Sequence, residues 1–239
     1  VHHRLPDRRG NDHRPIVHPR AALHDEGRVP LRVSCFDFGV ITTLGPLRTG
    51  QAEHVEASGP ALGLLELQSI ARGVTVADAL VKRAAVQLHV NRPVSPGKHL
   101  VLCSGEVGDV EEAMLAGRAQ AGSSLCDELL LTQVHDEVLD VLRRKTKLPL
   151  VEDVSIGILE TLSAASTLRG ADAACKAAEV RIFELRLCDG LGGKGFAILF
   201  GEQDMVEAGL ATAQQVLSPG LLFSVELIAR PHPDLLLSL

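Results

Sequence analysis

The sequence predicts an α+β protein that contains two copies of one domain. The first observation behind this prediction is an internal repeat of about ninety residues within residues 58–239. The second is that each copy mixes short apolar runs with segments of helical periodicity, spaced too closely for long crossovers throughout. The third is a composition of 46% hydrophobic and 23% charged residues, which is enough apolar material for a core. Each copy is therefore expected to fold as a compact sheet layered with helices.

The repeat is clear when residues 61–67 are aligned with residues 155–161. Ala-Leu-Gly-Leu-Leu-Glu-Leu and Ser-Ile-Gly-Ile-Leu-Glu-Thr share a Gly-x-x-Glu core at an offset of 94 residues. The offset becomes 96 where the Gly-Lys pair ending at Lys98 aligns with the pair ending at Lys194. The two copies therefore differ by two residues in the loop before this pair.

Each copy predicts the same elements in the same order. The expected strands are residues 61–67, 86–92, 99–104 and 127–132 in the first copy, and 155–161, 180–187, 195–200 and 222–229 in the second. A second helix is expected to begin near Val107 in the first copy and near Gln203 in the second. A terminal segment closes each copy.

The first helix of each copy carries an apolar stripe that we expect to be buried. Its members are Ile70, Val74, Ala77, Val81 and Ala84 in the first copy and Leu168, Ala171, Cys175 and Ala178 in the second. On the opposite face, Asp78 precedes Lys82 and Asp172 precedes Lys176 by four residues, the favourable order for a helical ion pair.

The domain boundaries follow from shifts in composition. Residues 1–57 hold six of the ten histidines, eight arginines and no lysine, without periodicity apart from one short strand-like run at residues 33–41. We expect this N-terminal extension to be disordered, or to be sequence that is not translated. The first domain is residues 58–144, the linker is residues 145–153, and the second domain is residues 154–239.

Composition excludes several classes of function. The absence of Trp and Tyr removes the aromatic platforms of single-strand nucleic-acid binders, and the net charge of −6 gives no basic footprint. No apolar run is long enough to cross a membrane, so we expect the protein in the cytoplasm. The five cysteines form no CxxC pair and predict free thiols. No nucleophile, paired carboxylate or metal motif indicates an enzyme, and neither metal nor cofactor is expected.

The chain resembles the bacterial microcompartment shell proteins, specifically the unpermuted, tandem-domain class that assembles as trimers. The matching motifs are the opening Gly-x-x-Glu strand, the Ala-Asp-Ala helix with its lysine, the Gly-Lys loop exit, the Gly-Glu-Val-Gly-Asp-Val turn and the closing Arg-Pro-His-Pro-Asp at residues 230–234. The resemblance implies two ferredoxin-like BMC domains, each a four-stranded antiparallel sheet with helices. It further implies a homotrimeric, hexagon-like shell tile with a central pore, which packs beside other shell hexamers and pentamers and passes small polar metabolites passively.

The resemblance also implies roles for particular residues. The expected pore-lining residues are Arg92, Pro93, Val94, Ser95, Pro96 and Gly97 in the first copy, and Arg186, Leu187, Cys188, Asp189, Gly190, Leu191, Gly192 and Gly193 in the second. The expected tile-edge residues are Lys82, Lys176, Arg230 and His232. For Lys82 and Lys176, a solvated helix-face ion pair is a sufficient alternative role.

Three questions stay open at this level. The three glycines of the second pore loop permit either a moving gate or only a tight turn. Some relatives are thought to hold an iron–sulfur cluster at the pore, which makes Cys188 a candidate ligand in an electron-transferring tile. A small-molecule-binding regulator built from paired α+β domains is the remaining alternative function.

Overall fold

The computed structural model describes residues 59–143 and 154–238. The predicted strand-like run at residues 33–41, the N-terminal extension and the linker at residues 145–153 lie outside the described residues. No helix within the described residues has the length and apolar character needed to cross a bilayer.

The first domain forms one four-stranded sheet with two long helices and one short helix. Its elements are β1 (Ala61–Leu67), α1 (Ile70–Arg83), β2 (Gln87–Val94), β3 (Lys98–Gly105), α2 (Val107–Ala121), β4 (Leu125–Leu131) and α3 (Asp136–Arg143). The strands pair antiparallel in the order β2-β3-β1-β4. The predicted strands and helices of this copy are all present, with bounds within two residues of those expected.

The second domain repeats the same series. Its elements are β5 (Ser155–Thr161), α4 (Ala164–Ala177), β6 (Arg181–Leu187), β7 (Gly195–Gly201), α5 (Gln203–Val216), β8 (Leu222–Ile228) and α6 (Pro233–Ser238). The order β6-β7-β5-β8 is again antiparallel throughout. Both sheets therefore have the same topology, which confirms the α+β fold predicted from the repeat.

The shared sequence motifs have direct structural causes. Ser69 and Ser163 cap α1 and α4, and each side chain accepts the backbone N–H three residues later. Gly63 and Gly157 lie where the second helix of each domain approaches the sheet most closely. A Cβ on Gly63 would lie 2.8 Å from Sδ of Met114, so a larger residue there would require the Met114 side chain to shift.

Where α1 and α4 meet their own sheets, the two domains exchange a large and a small residue. In the first domain Gly73 of α1 packs on the ring of His99, and a Cβ on the glycine would overlap that ring. In the second domain the helix position holds Thr167 and the strand position holds Gly195, and a Cβ on that glycine would overlap the threonine. The larger residue thus lies on the strand in the first domain and on the helix in the second.

The hydrophobic core has three parts. One part fills the space between the first sheet and its own helices, from Leu65 to Met114. The largest part joins the second domain's sheet–helix core to the opposite face of the first sheet, so that Leu64 and Leu168 belong to the same cluster. The third is a smaller cluster on the equivalent face of the second sheet, around Ile198. The first domain is therefore covered on both faces of its sheet.

The apolar stripe of α1 departs from the prediction. Ala77 is buried, but Ile70, Val74 and Val81 are 44%, 54% and 44% exposed. The face of α1 that contacts its own sheet consists of Gly73, Val76, Ala77 and Leu80 instead. In the second copy Leu168, Ala171 and Cys175 are buried as expected, whereas Ala178, which follows the last residue of α4, is only partly buried.

Candidate functional site

The junction between the two domains is built on helix α4. This helix contacts its own sheet on one side and strands β1 and β4 of the first domain on the other. Leu168 has no exposed surface, since the second contact covers the side of α4 that points away from its own sheet. The covering surface is the face of the first sheet that carries Leu62, Leu64 and Leu129.

A buried carboxylate binds the N-terminus of α4 at this junction. Glu66 has no exposed surface; it accepts the backbone N–H of Ala164 at 2.9 Å and pairs with Lys98 at 2.5 Å. Burial works against the charged form of Lys98, but the hydrogen bond and the charge of Glu66 outweigh it, and the pKa of Lys98 is raised. The positive end of the helix dipole also favours a carboxylate here. The ion pair between Glu66 and Lys98 is therefore a charged part of the buried junction.

A second carboxylate lies beside Glu66 on the same sheet face. Asp127 pairs in register with Glu66 across β1 and β4 and accepts the hydroxyl groups of Ser163 and Ser166. One strand residue further on, the carbonyl oxygen of Glu128 accepts a hydrogen bond from Arg169 at 3.1 Å. Hydrogen bonds from Ser163, Ser166 and Arg169 therefore join helix α4 to two consecutive residues of strand β4.

Lys176, a predicted tile-edge residue, also joins the two domains. Its ammonium group donates to the carboxylate of Asp172 and to the carbonyl oxygen of Gln133, both at 2.5 Å. The other oxygen of Asp172 accepts the backbone N–H of His135 at 2.8 Å. The closing segment of the first domain is thus bound to the exposed edge of α4, a role that the sequence did not reveal.

The remaining tile-edge residues lie on the surface. Lys82 forms the predicted ion pair with Asp78 at 2.6 Å, and both side chains are more than half exposed. Arg230 is exposed, and the imidazole of His232 lies 3.5 Å from the carboxylate of Asp234. The i,i+4 pairing is therefore present in both copies, but it is solvated only in the first, because the Asp172 side chain is 4% exposed; the tile-edge role stays a prediction.

The two predicted pore loops lie next to each other within the chain. Arg92 of the first forms an ion pair with Asp189 of the second, and both side chains are partly exposed. A Cβ on Gly193 would lie 3.1 Å from the ring of Pro96. The structure therefore brings both predicted loops into one cluster.

The glycines of the second loop have backbone conformations that favour glycine. Gly190, Gly192 and Gly193 have φ angles of 69°, 63° and 92°. L-residues with side chains rarely adopt such values, although Cys188 of the same loop does so at 63°. A tight turn is therefore a sufficient reason for the glycines, and a moving gate stays a prediction.

Three predicted pore-lining residues have buried side chains. Val94 and Leu187 are 7% and 6% exposed, and Cys188 has no exposed surface. They pack beneath the loops, because β2 and β6 end there with these residues turned towards the core shared by the two domains. The solvent-facing chemistry of the loops comes from the other residues, chiefly Arg92, Arg186 and Asp189.

The Cys188 thiol does not fit a cluster ligand. Its Sγ lies 3.2 Å from the carbonyl oxygen of Gly193, to which it donates, and burial, aided by the negative charge of Glu66, raises its pKa to about 12. Cluster ligands are thiolates, which this environment disfavours. The environment of Cys188 therefore does not support the electron-transferring alternative.

The regulator alternative calls for a ligand-binding cleft. A pocket of about 430 Å³ opens at the surface beside Lys176 and is lined by His135, Cys175, Lys176, Ala177, Ala178, Glu179, Val180 and Met205. Its polar lining residues are His135, Lys176 and Glu179, and the ammonium group of Lys176 is already bound to Asp172 and Gln133. The pocket lies at the predicted tile edge.

Equivalent faces of the two domains differ in what covers them. Ala164, Leu168 and Cys175 of α4 are at most 5% exposed because the first domain lies over them. The equivalent stripe of α1 is open, as described above. The second sheet has an open face too, where Ile158 and Phe196 are only partly buried and Phe223 is 57% exposed. Among residues 59–143 and 154–238, one helix face and one sheet face therefore lie without a covering partner.

Sequence reasoning missed the polar residues of the junction. Glu66 stood in the aligned Gly-x-x-Glu motif and Lys98 in the Gly-Lys motif, and their equivalents Glu160 and Lys194 also form an ion pair. The repetition of both motifs was a usable signal, since each lysine lies two residues before the residue that pairs with the glutamate, Leu100 or Phe196, a diagonal separation that a lysine side chain can span.

The comparisons with known proteins agree with this architecture. A model of the BMC domain matches residues 61–134 and 155–231. The chain is 35% identical over 176 residues to the bacterial microcompartment shell protein PduT of Citrobacter freundii, covering 73% of this chain and 95% of that protein. It is 33% identical over 90 residues to the major carboxysome shell protein CsoS1A of Halothiobacillus neapolitanus, covering 36% of this chain and 92% of that protein.

A solved structure resembles the chain over a similar span. The crystal structure of a microcompartments protein from Desulfitobacterium hafniense has a TM-score of 0.67 and 39% sequence identity, and the match covers 73% of this chain and 97% of that one. The relatives are shell proteins rather than enzymes, in agreement with the structural role expected from the sequence. The chain belongs to the BMC domain family of bacterial microcompartment shell proteins and carries two BMC domains in tandem.

Proposed function

We propose that three copies of this chain close into a ring of six BMC domains, which serves as a structural tile of a microcompartment shell. The observation that carries the proposal is the contrast between α4, covered by the neighbouring domain, and α1, whose equivalent face is open. The open sheet face of the second domain is equivalent to the face that covers α4. A second copy that docks this sheet face on α1 therefore repeats the internal junction between chains.

Repetition of one junction in this way leads to a ring. The contact is heterologous, because a sheet face of one domain meets a helix face of the next. Heterologous contacts give closed rings when the rotation between neighbours divides a full turn, and six similar domains in three chains satisfy this with threefold symmetry. The ring buries both unpartnered apolar faces, which together hold several large exposed side chains.

The proposed pore lies at the centre of this ring. The two loops that form one cluster in each chain, at residues 92–97 and 186–193, would occur three times around it. Their exposed charges, Arg92, Arg186 and Asp189, suit the passive passage of small polar metabolites. A gate formed by the second loop would have to separate Arg92 from Asp189.

The proposed location is the shell of a microcompartment in the cytoplasm, beside other hexameric and pentameric shell proteins. The proposed tile-edge residues are Lys82, Lys176, Arg230 and His232. The exposed ammonium of Lys82 and the exposed Arg230 are free to contact a neighbouring tile, whereas Lys176 already holds the two domains of one chain together.

The test is the solution mass of the full chain by light scattering, with negative-stain images of the same sample. We expect the mass of three chains and particles with a hexagon-like outline. A monomer or dimer without rings would contradict the proposal.

A further inference from the structure

We propose that Arg72 of one copy and Glu226 of a second copy form an ion pair across the junction between chains. The inference rests on the proposed ring and names the residues that select the partner, a second copy of this chain. It is argued from the internal junction, which provides the geometry of the equivalent junction between copies.

The repeat relates the residues of the two junctions. Arg72 occupies in α1 the position of Ser166 in α4, at the offset of 94. On the sheet side, the strand registers equate Ser224 with Asp127, since they pair with Glu160 and Glu66 respectively. The same registers equate Glu226 with Leu129, the residue two positions further along β4.

The internal junction shows where these positions lie relative to each other. Ser166 contacts Asp127, with its hydroxyl group 3.4 Å from the carboxylate. The next turn of α4 brings Arg169 to the carbonyl oxygen of Glu128. Successive turns of the helix thus meet successive residues of the strand, and Leu129 follows directly. The contact between Ser166 and Asp127 therefore places position 72 against position 224 of the second copy, and position 226 is the next residue on the same sheet face, within reach of an extended arginine side chain.

The charges at these positions are complementary and unused within one chain. Arg72 is exposed, and its guanidinium has no ion-pair partner among residues 59–143 and 154–238. Glu226 is also exposed, and its carboxylate accepts only a long hydrogen bond from Ser224, at 3.4 Å. An arginine can span the two residues along the strand and bind a carboxylate through two N–H groups.

Burial makes the pairing necessary in the assembled ring. Leu129, the equivalent of Glu226, is only 2% exposed once its face is covered by α4. Covering Glu226 in the same way would leave a charge without solvent, which is strongly unfavourable unless an opposite charge accompanies it. Arg72 is the cation that the equivalent junction brings to this place.

The pair also distinguishes the junction between chains from the internal one. The internal junction uses Asp127 with two serine hydroxyl groups, whereas the junction between chains uses Glu226 with a guanidinium. The equivalent sheet face of the first domain is already covered by α4 of its own chain, so the second domain of another copy is the neighbour left for α1.

Charge reversal in the full chain tests the ion pair. The variants are Arg72→Glu, Glu226→Arg and the double variant, with Glu207→Arg on the exposed face of α5 as a matched control. Light scattering over a concentration series measures the trimer. We expect each single variant to weaken assembly at least about tenfold, the double variant to recover to within about threefold, and the control to assemble normally.

A second variant tests the same contact without relying on charge. In Arg72→Cys with Ser224→Cys, the equivalents of the contacting Ser166 and Asp127, oxidation should link chains into disulfide-bonded dimers and trimers, whereas either single cysteine variant should not do so. If the unmodified chain forms no trimer, the proposed function fails. If it forms a normal trimer while the charge-reversed single variants also assemble normally, or the double variant does not recover, the ion pair alone is overturned.

Discussion

Helices α1 and α4 occupy the same place in two copies of one domain but have different surroundings. Both have a serine cap and an apolar stripe, yet the stripe of α4 is buried and most of that of α1 is exposed. The difference arises from what lies across the stripe, not from the helix or its own sheet. An apolar stripe at helical spacing therefore predicts a contact face. It does not indicate whether that contact lies within one chain or between chains.

The largest expected difference between the two helices is in how an aspartate at equivalent positions affects folding and assembly. Leu168→Asp places a charge in a fully buried site and should destabilise the fold by several kcal/mol, on the order of 5. Val74→Asp lies on the open face, so the isolated chain should keep its fold to within about 0.5 kcal/mol while the trimer is lost. Circular dichroism and light scattering of both variants measure the two effects. A folded, trimeric Val74→Asp variant would show that the stripe of α1 is not an interface.

The two aligned glutamates provide a smaller contrast. Glu66 is fully buried and binds both Lys98 and the N-terminus of α4, so Glu66→Gln should lower the free energy of unfolding by about 2–3 kcal/mol. Glu160 and Lys194 are partly exposed, so Glu160→Gln should lower it by less than about 1 kcal/mol. Urea unfolding in the Val74→Asp background compares both variants as monomers. If both variants lose the same free energy of unfolding, the hydrogen bond from Glu66 to the N-terminus of α4 contributes nothing to stability.

As the pH falls, the first domain should lose stability at a higher pH than the second. Burial lowers the pKa of His89, with a further contribution from Arg143, and burial lowers the pKa of His99. Their stabilising effect is therefore complete above the unfolded pKa of 6.5 and is lost as pH falls through the lower folded values. The second domain has Phe183 and Gly195 at these positions.

Hydrogen exchange of the strand amides at about pH 7.5 and about pH 5.5, corrected for intrinsic rates, measures this difference. Protection should fall more in β2 and β3 than in β6 and β7. An equal fall in both sheets would attribute the acid response to groups shared by the domains.

Much of the fold was predictable because duplication displays each element twice. The Gly-x-x-Glu strand and the glycine beneath the second helix are constrained by contacts inside one domain, and such constraints leave the same residues in both copies. The i,i+4 pairs were predictable for the same reason, since both partners lie on one helix. Bounds and strand order followed from these local patterns together with the resemblance.

The parts that escaped prediction depend on contacts between domains or on local backbone geometry. Val74 is exposed because no described part of the same chain covers α1 in the way that the first sheet covers α4. The burial of Cys188 depends on its positive φ angle of 63°, which turns the thiol inwards and which no spacing reveals. The link from Lys176 to Gln133 uses a backbone carbonyl group, which leaves no mark on the sequence of its acceptor.

The exchanged packing of Gly73 on His99 and of Thr167 on Gly195 has a consequence for the history of the chain. Two halves that began as copies can diverge at such a contact only through paired changes, since either change alone brings overlap or a cavity. Once both changes are complete, recombination between the halves produces helices that no longer fit their strands. The duplication has thereby become irreversible at this contact, and each half can acquire its own loop chemistry without being overwritten by the other.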